Sequence, residues 1–294
     1  MLYLFLAIFF NAYLIVALKA VERFRIPVLQ AIVFNYITCV VTGTIVNGAF
    51  PITANPPESS WFWWALLMGT LFISLFNLIG FTAQRISVSV ASVANKLSLV
   101  IPFAFSIYLY GEAASALKII GLIIALVAVV ATCMPSAKEG DRANAPLSPA
   151  LRFLVPAVLF AGSGLLDTLI KYVEQNFLNS TNSDAYLITS FATAAAIGSL
   201  VLIGLVLSGK QKFVPSSIIA GVLIGIPNYF SIWGLVKVLQ LYPGNSSAII
   251  PINNMGIILV STLAAFFLFR ERLSTINRVG IALTVVSIAL IAFG

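Results

Sequence analysis

Among the charged side chains inside the long apolar stretches of the sequence, where a charge is costly, three could do chemistry. They are Lys96, Asp167 and Lys171, and a Lys or Asp at the centre of a membrane-spanning helix costs about 2.5–3.5 kcal/mol on insertion scales. Asp167 and Lys171 are four residues apart, so on a helix they share a face and can pair. This spacing allows two interpretations: an acid that carries a coupling proton, or a neutralised structural ion pair.

Lys96 also has two interpretations. It lies beside Asn95 and two residues before Ser98, so its ammonium group could hold a carboxylate or phosphate group of a ligand in a central cavity. Alternatively, its long side chain extends to the nearby interface, as lysines near the ends of membrane helices do.

Carboxamide and aromatic side chains are scattered through the other apolar stretches. Amides in an apolar helix need partners, which are neighbouring helices, water or a ligand. Together with Asn35, Tyr36 and Asn228, these residues predict a polar cavity with aromatic walls. The alternative for each of them is a contact between helices. The cavity candidates are Lys96, Asn95, Asn253, Asn254, Asn11, Tyr13, Asn77, Trp233 and Tyr229.

Two glutamates, Glu112 and Glu271, each follow the end of a predicted helix. A negative charge at a helix C-terminus is unfavourable unless a nearby cation compensates it. We expect Lys118 to do so for Glu112, and the arginines Arg270, Arg272 and Arg278 for Glu271. Both acids are predicted to act as structural locks at opposite membrane faces.

The composition that surrounds these residues excludes a soluble protein. The chain has 294 residues, of which 61% are hydrophobic and 9% are charged, against about 25% charged in soluble domains.

The chain contains no histidine, so His–metal sites and Ser–His catalysis are excluded. Cys39 and Cys133 lie in separate apolar stretches and predict neither a disulfide nor a metal site. An intramembrane aspartyl dyad needs two acids within the spans. Asp167 is the one acid that qualifies, so such a dyad is not expected. We therefore expect no enzyme activity, no metal and no cofactor.

The apolar residues form ten stretches that are about as long as a membrane-spanning helix requires, which is about 20 residues. Short connections rich in Pro and Gly separate them, and no stretch is left over for a soluble domain. The predicted spans are 2–18, 28–49, 61–83, 87–110, 116–134, 153–172, 185–207, 217–239, 246–269 and 275–293.

An internal repeat relates the two halves of the chain. A shift of 159 residues places Asn95 on Asn254, Glu112 on Glu271 and Gly121 on Gly280, and a shift of 152 aligns the Lys-x-x-Glu motif at residue 19 with that at residue 171. The predicted organisation is a first repeat at 1–134, a linker at 135–150 and a second repeat at 151–294. Because five spans per repeat is an odd number, the second repeat must be inverted. The predicted fold is therefore an all-α integral membrane protein with ten transmembrane helices in two inverted five-helix repeats.

The stretch from Ala91 to Pro102, followed by Leu109-Tyr-Gly-Glu112 and by Gly121, resembles the EamA domain of the drug/metabolite transporter superfamily. The second copy keeps Ser246-Ser-Ala248, Glu271 and Gly280, but has Arg270 in place of the Gly and an earlier proline, Pro251. The resemblance implies a ten-helix carrier, often an exporter, for small metabolites or amphipathic compounds.

The distribution of basic residues predicts the orientation. Twelve of the 16 Lys and Arg residues lie at the odd-numbered connections, three lie at the even-numbered ones and Lys96 lies within a span. The positive-inside rule places the odd connections in the cytoplasm and both termini outside, whereas the family resemblance implies termini inside; we follow the charges. The formal charge of +7 then reflects the excess of Lys and Arg in the cytoplasmic connections, and no nucleic-acid partner is expected.

The function expected from these features is secondary transport, proton-coupled or facilitative, by alternating access around a central cavity, with export as the expected direction. The alternative is a lipid scramblase or a channel-like membrane protein. The expected partners are a small-molecule substrate and the lipid bilayer of the cell (inner) membrane, which the chain crosses many times. Small residues spaced by four, at Gly121 and Ala125 and at Gly280 and Thr284, favour close packing within the fold or across a homodimer.

Overall fold

The computed structural model describes residues 1–24, 26–50, 59–86, 88–113, 115–133, 148–179, 181–269 and 274–294. Within these ranges the chain forms α-helices and no strand. In chain order the helices are α1 (Leu2–Arg23), α2 (Val28–Asn47), α3 (Phe62–Arg85), α4 (Val88–Leu97), α5 (Val100–Tyr110), α6 (Ala116–Cys133), α7 (Pro149–Phe177), α8 (Ser183–Leu207), α9 (Ser216–Leu241), α10 (Ser246–Phe269) and α11 (Thr275–Phe293).

The helices have the length and composition of a multi-pass membrane protein. In the described part of the chain, eight segments are long and apolar enough to cross a membrane, and two shorter apolar segments, Leu2–Leu18 and Ala116–Thr132, accompany them. These ten segments coincide with the ten stretches expected from the sequence. The all-α class and the many apolar helices are therefore confirmed.

The fourth predicted span, 87–110, is interrupted rather than continuous. It consists of α4 and α5, with a turn at Ser98 and Leu99 between them. Pro102 explains this break, because a proline lacks the N–H that would bond to the carbonyl of residue i−4, and its ring clashes with that carbonyl. Residue i−4 is Ser98, which lies in the turn. The break places the end of α4 inside the apolar segment Val93–Tyr110.

The described residues divide into two compact units, each of which draws on both halves of the sequence. Unit 1 comprises Met1–Asn77 and Leu169–Leu241, and unit 2 comprises Leu78–Thr168 and Tyr242–Gly294. The two units are defined by proximity in space, whereas the repeats expected from the sequence are defined by similarity between its two halves. The expected repeat boundaries therefore stay a prediction.

Unit 1 is held together by close packing of α2, α8 and α9. Gly221 and Gly225 on α9 lie so near α2 that a Cβ atom at either position would collide with Phe34, Asn35 or Thr38. This spacing of two glycines by four residues brings helix backbones into direct contact in membranes. Gly69 on α3 lies equally close to α8 at Ser190.

One fully buried glutamine, Gln30 at the start of α2, fixes the connection between α8 and α9. Its amide nitrogen donates to the backbone oxygen of Lys212 at 2.7 Å, and its oxygen accepts from the backbone N–H of Val214 at 2.9 Å and from the Ser217 hydroxyl at 3.2 Å. Each polar group of this side chain is satisfied, as a buried amide requires. The sequence analysis did not single out this residue.

Unit 2 centres on the crossing of α6 and α11. A Cβ atom at Gly121 would lie 2.7 Å from Ile291, and one at Gly280 would collide with the backbone of Thr132. The two small-residue faces expected from the sequence therefore pack within unit 2. An apolar cluster that includes Leu99, Phe103 and Met255 lies beside this crossing.

Candidate functional site

The side chains of Lys96, Asn254 and Asp167 form one hydrogen-bonded cluster in unit 2. Lys96 Nζ donates to Asn254 Oδ1 at 3.2 Å, and Asn254 Nδ2 donates to Asp167 Oδ2 at 2.9 Å. All three residues lie in segments apolar enough to span a membrane. A single carboxamide thus connects a cation on α4 with an anion on α7.

The helices that carry the cluster are irregular near it. Lys96 lies in the last turn of α4, just before the break at Ser98, where a cation interacts favourably with the helix dipole. Asn254 follows Pro251, a proline within α10 that removes one backbone hydrogen bond from that helix. Discontinuous helices of this kind form the substrate and ion sites of many transporters.

Glycine also brings α5 and α7 together one turn from Asp167. At Gly164, a Cβ atom would collide with the Ile101 side chain, so no larger residue fits there without displacement. The Gly162-Ser163-Gly164 segment thus serves close packing at Gly164, which is the more usual role of small residues in membrane helices. This contact positions the α7 face on which Asp167 lies.

Two further predicted members of the cavity, Asn253 and Asn95, neighbour the cluster in sequence. Asn253 is 6% exposed, and its side-chain oxygen has no hydrogen-bond partner among the described residues. Asn95 is half-buried, and its backbone oxygen accepts from the Ser98 hydroxyl in the break. A buried acceptor without a partner carries a desolvation cost of about 1–3 kcal/mol, which a ligand with a donor group would offset.

The cluster is suited to reversible binding rather than covalent chemistry. It offers a positively charged ammonium group and a carboxylate, which are connected by a neutral amide. In the described part of the chain, no group of three or more Cys, Asp or Glu side chains is placed to hold a metal ion. The arrangement can hold and release a proton at Asp167, and it can bind a charged group of a ligand at either end.

The structure gives Asp167 and Lys171 different partners, although an ion pair between them was one of the two interpretations that their spacing allowed. Lys171 Nζ contacts Glu174 Oε2 at 2.9 Å, and both side chains are buried in unit 1. The reason is that Glu174, three residues along α7, shares a helix face with Lys171 as closely as Asp167 does, while Asn254 supplies Asp167 with a neutral donor. Lys171 thus belongs to a structural ion pair, and Asp167 belongs to the cluster.

Unit 2, which contains the cluster, also has an open apolar groove of about 580 Å³. Its walls include Leu97 and Val100, on either side of the helix break, and Phe160 on α7. Leu97 directly follows Lys96, and Phe160 precedes Asp167 by seven residues, which places both on one face of α7. The groove and the cluster therefore draw on the same two helices, α4 and α7.

Four predicted cavity residues on other helices of unit 1 form no such cluster. Trp233 Nε1 donates to Asp184 Oδ1 at 3.1 Å, and the Lys237 ammonium lies 5.8 Å from the centre of the Trp233 ring. Asn77 donates to the carbonyl of Ile73 on its own helix. Asn11 is half-buried and Tyr13 is exposed at the surface of the unit.

Tyr229 is fully buried in an aromatic core in unit 1. Its ring contacts Phe191 and Phe230, and its hydroxyl has no hydrogen-bond partner among the described residues. On the same helix, Asn228 Nδ2 donates to Asn35 Oδ1 on α2 at 3.0 Å. Asn228 and Asn35 therefore make the kind of helix–helix contact that the sequence analysis considered as one role for such amides.

Glu112 finds a partner that the sequence analysis did not expect. Its carboxylate accepts from the backbone N–H groups of Ser246 at 3.1 Å and Ser247 at 2.7 Å, and from the Ser246 hydroxyl. The expected cation, Lys118, instead donates to the backbone oxygen of Ala113. The expectation was wrong about the partner because the N-terminus of α10, itself a partial positive charge, stands where a cation was proposed.

These hydrogen bonds also set the acidity of Glu112. Burial on its own would raise the pKa of this carboxyl group, but the hydrogen bonds from Ser246 and Ser247 together outweigh burial and hold the pKa below its ordinary value. Glu112 thus caps α10, the helix that carries Asn254. Glu271, the second predicted lock, lies outside the described residues.

Comparisons with known proteins extend the description of the fold. No family model matches the chain. An uncharacterized protein of Haemophilus influenzae is 28% identical over 276 residues, which are 90% of this chain and 89% of that protein. A solved crystal structure is similar with a TM-score of 0.74 and 17% sequence identity, over 98% of this chain and 94% of that one. The chain therefore shares its helical fold, over nearly its whole length, with a protein of known structure.

Proposed function

We propose that the chain is an EamA-type secondary transporter of the drug/metabolite transporter superfamily, which moves small metabolites or amphipathic compounds by alternating access. The observation that carries this proposal is the Lys96–Asn254–Asp167 cluster at a broken helix. Opposite charges within membrane-spanning helices are costly, and where they occur they commonly mark a substrate or ion pathway. The cell (inner) membrane is the proposed location.

The proposed architecture is a pair of inverted five-helix repeats, and packing in unit 2 supports it. Gly121 lies against Ile291, and Gly280 lies against Thr132. Adding 159 to 121 and to 132 gives 280 and 291, so the shift found in the sequence exchanges one contact for the other. Two copies related by a two-fold axis would pack in this reciprocal way.

The proposed mechanism rests on the cluster and on Asp167 in particular. The chain contains no histidine, so a coupling proton must be carried by a carboxylate, and Asp167 is the acid of the cluster. Rocking of helix bundles around a site formed by broken helices is the general mechanism of inverted-repeat carriers. A covalent reaction has no support in this arrangement, and we propose that the chain is not an enzyme.

Efflux from proteoliposomes tests the proposal. Purified protein is reconstituted into liposomes loaded with a broad panel of labelled metabolites, and the release of each compound is followed with wild type and with Lys96→Gln. We expect saturable release of at least one class of compound by the wild type, with a large loss in the variant. The matched control is Lys118→Gln, because the Lys118 ammonium donates to the backbone oxygen of Ala113 at a helix end and not to the cluster.

The same liposomes distinguish the alternative. A scramblase would move labelled phospholipid between leaflets without releasing any metabolite, and a channel would release compounds without saturation. Either result, or release that is the same with Lys96→Gln as with wild type, would contradict the proposed carrier.

A further inference from the structure

We propose that the Lys96–Asn254–Asp167 cluster binds an amphipathic monoanion together with one proton. The inference rests on the proposed transporter function and specifies its substrate class and its coupling. It follows from the charge of the cluster, from the bridging position of Asn254 and from the apolar groove in the same unit.

The charges of the cluster require compensation for any charged ligand. With Asp167 ionised, the single positive charge of Lys96 and the single negative charge of Asp167 cancel. Adding an anion alone would leave a net negative charge within membrane-spanning helices, which is strongly disfavoured. If Asp167 takes up one proton as the anion binds, the cluster with its ligand is neutral again. The empty and the loaded site then both carry no net charge.

The hydrogen bonds permit this exchange. A protonated Asp167 still accepts from Asn254 Nδ2 through its carbonyl oxygen, so the contact at 2.9 Å survives the loss of charge. The anion then supplies the negative charge near Lys96 that the ionised Asp167 supplies in the empty site. In the described part of the chain, Lys96 on α4 is the charged group that acts on Asp167, and Asn254 on α10 is its hydrogen-bonding neighbour.

The groove indicates the rest of the ligand. Its volume of about 580 Å³ is in the range of small-molecule sites, and one of its lining residues is Leu97, the residue after Lys96. Its walls are apolar along their length, so it suits a hydrocarbon body whose charged group lies at Lys96. A single-chain anion with an apolar tail satisfies both parts of the site.

Binding of 1-octanesulfonate in phosphatidylcholine nanodiscs tests the inference, because a sulfonate stays ionised at every pH used. Isothermal titration calorimetry in buffers with different ionisation enthalpies measures the protons taken up, and empty nanodiscs correct for partition into lipid. We expect about one proton per anion bound at pH values where Asp167 is ionised in the free protein. We also expect the affinity to fall about tenfold per unit of rising pH in that range, as linkage requires.

Two variants separate the roles of the charges. Lys96→Gln should weaken binding about tenfold or more, since a charge-assisted hydrogen bond is lost, and Lys118→Gln should leave it unchanged. Asp167→Asn imitates the protonated acid, so it should bind at all pH values with no uptake of protons. Octyltrimethylammonium should not bind at this site, and methanesulfonate should bind much more weakly because it lacks the apolar tail.

Several results would overturn the inference. They are binding without proton uptake by the wild type, binding that does not depend on Lys96, a preference for the octyl cation, and equal affinity for methanesulfonate. Competition by phosphatidylglycerol in the nanodiscs would assign the site to a two-chain membrane lipid and overturn the assignment to a single-chain anion. If proton-linked binding is found but proteoliposomes release no compound, the transporter proposal fails while the assignment of the binding site stands.

Discussion

The side-chain amide of Asn254 on α10 donates a 2.9 Å hydrogen bond to the carboxylate of Asp167 on α7. The oxygen of the same amide accepts from Lys96 on α4, so one neutral side chain connects three helices and two opposite charges. An amide in this position holds the charges in place without adding to them. It makes Asn254 the organising residue of the candidate site.

Replacing Asn254 by Leu should destabilise the protein. Lys96 and Asp167 would each lose a hydrogen bond within apolar helices, and a hydrogen bond to a charged group contributes about 1.5–3 kcal/mol. The measurement is the free energy of unfolding in a mild detergent. Asn77→Leu is the matched control, because the Asn77 amide donates to a carbonyl of its own helix, so its loss should cost much less. Equal destabilisation by the two substitutions would contradict the bridging role.

Glu112→Gln should lower stability in a pH-dependent manner. The pKa of Glu112 is held below its ordinary value of 4.5 by the hydrogen bonds that it accepts at the start of α10. Its contribution is therefore fully present above that ordinary value and is lost as the pH falls through the lowered pKa. At neutral pH the variant should be less stable by about 1.5–3 kcal/mol, the value of a hydrogen bond to a charged group.

The prediction for Glu112 is checked by the difference in melting temperature between wild type and Glu112→Gln, measured over a series of pH values. We expect the difference to shrink at pH values below 4.5 as the wild-type carboxylate becomes protonated. A difference that is constant from neutral to acidic pH would show that the charge of Glu112 does not stabilise α10.

The α6–α11 crossing should tolerate no side chain at its two glycines. Gly280→Ala forces a Cβ atom into the backbone of Thr132, whereas Gly121→Ala meets mainly the Ile291 side chain. Overpacking costs about 1–3 kcal/mol, and we expect the larger loss at Gly280, where backbone cannot move aside. Gly204→Ala is the control because nothing lies within 4 Å of its Cβ position, so that variant should be neutral or more stable. Melting temperatures in detergent that fail to separate Gly280→Ala from Gly204→Ala would contradict this packing.

The charge asymmetry predicts that both termini lie outside the cytoplasm. Alkaline phosphatase fused after residue 294 should be active, and green fluorescent protein fused there should be dark, because each reports one side of the membrane. The same fusions after residue 210, beside the basic pair Lys210 and Lys212, should give the reverse result. A fluorescent fusion at residue 294 would overturn the orientation and favour the one that the family resemblance implies.

The sequence predicted the helices better than their contacts. Apolar stretches of sufficient length mark spans directly, since the bilayer sets their length, and the ten stretches reappear as apolar segments. The interruption at Ser98 and Leu99 was not predicted, although Pro102 was noted. A proline in a helix produces either a kink or a break, and only the packing around it decides between them.

The partners of charged residues were the least predictable part. Asp167 and Lys171 are correctly spaced for a pair, yet the same rule also fits Lys171 and Glu174, and helical spacing cannot choose between them. Glu112 was assigned a cation, but its partner is the N-terminus of a helix distant in sequence. Gln30 was not recognised because its partners lie more than 180 residues away, a separation that no local pattern reports.

The central claim is that Lys96, Asn254 and Asp167 form the substrate site, and a ligand-induced thermal shift tests it most directly. Wild type, Lys96→Gln and Lys118→Gln are screened against the same broad panel of metabolites in detergent. Binding to the folded state raises its stability by an amount set by ligand concentration and affinity. The account predicts at least one compound class that stabilises wild type and Lys118→Gln but not Lys96→Gln. Compounds that stabilise all three proteins equally would place the substrate site elsewhere and contradict the account.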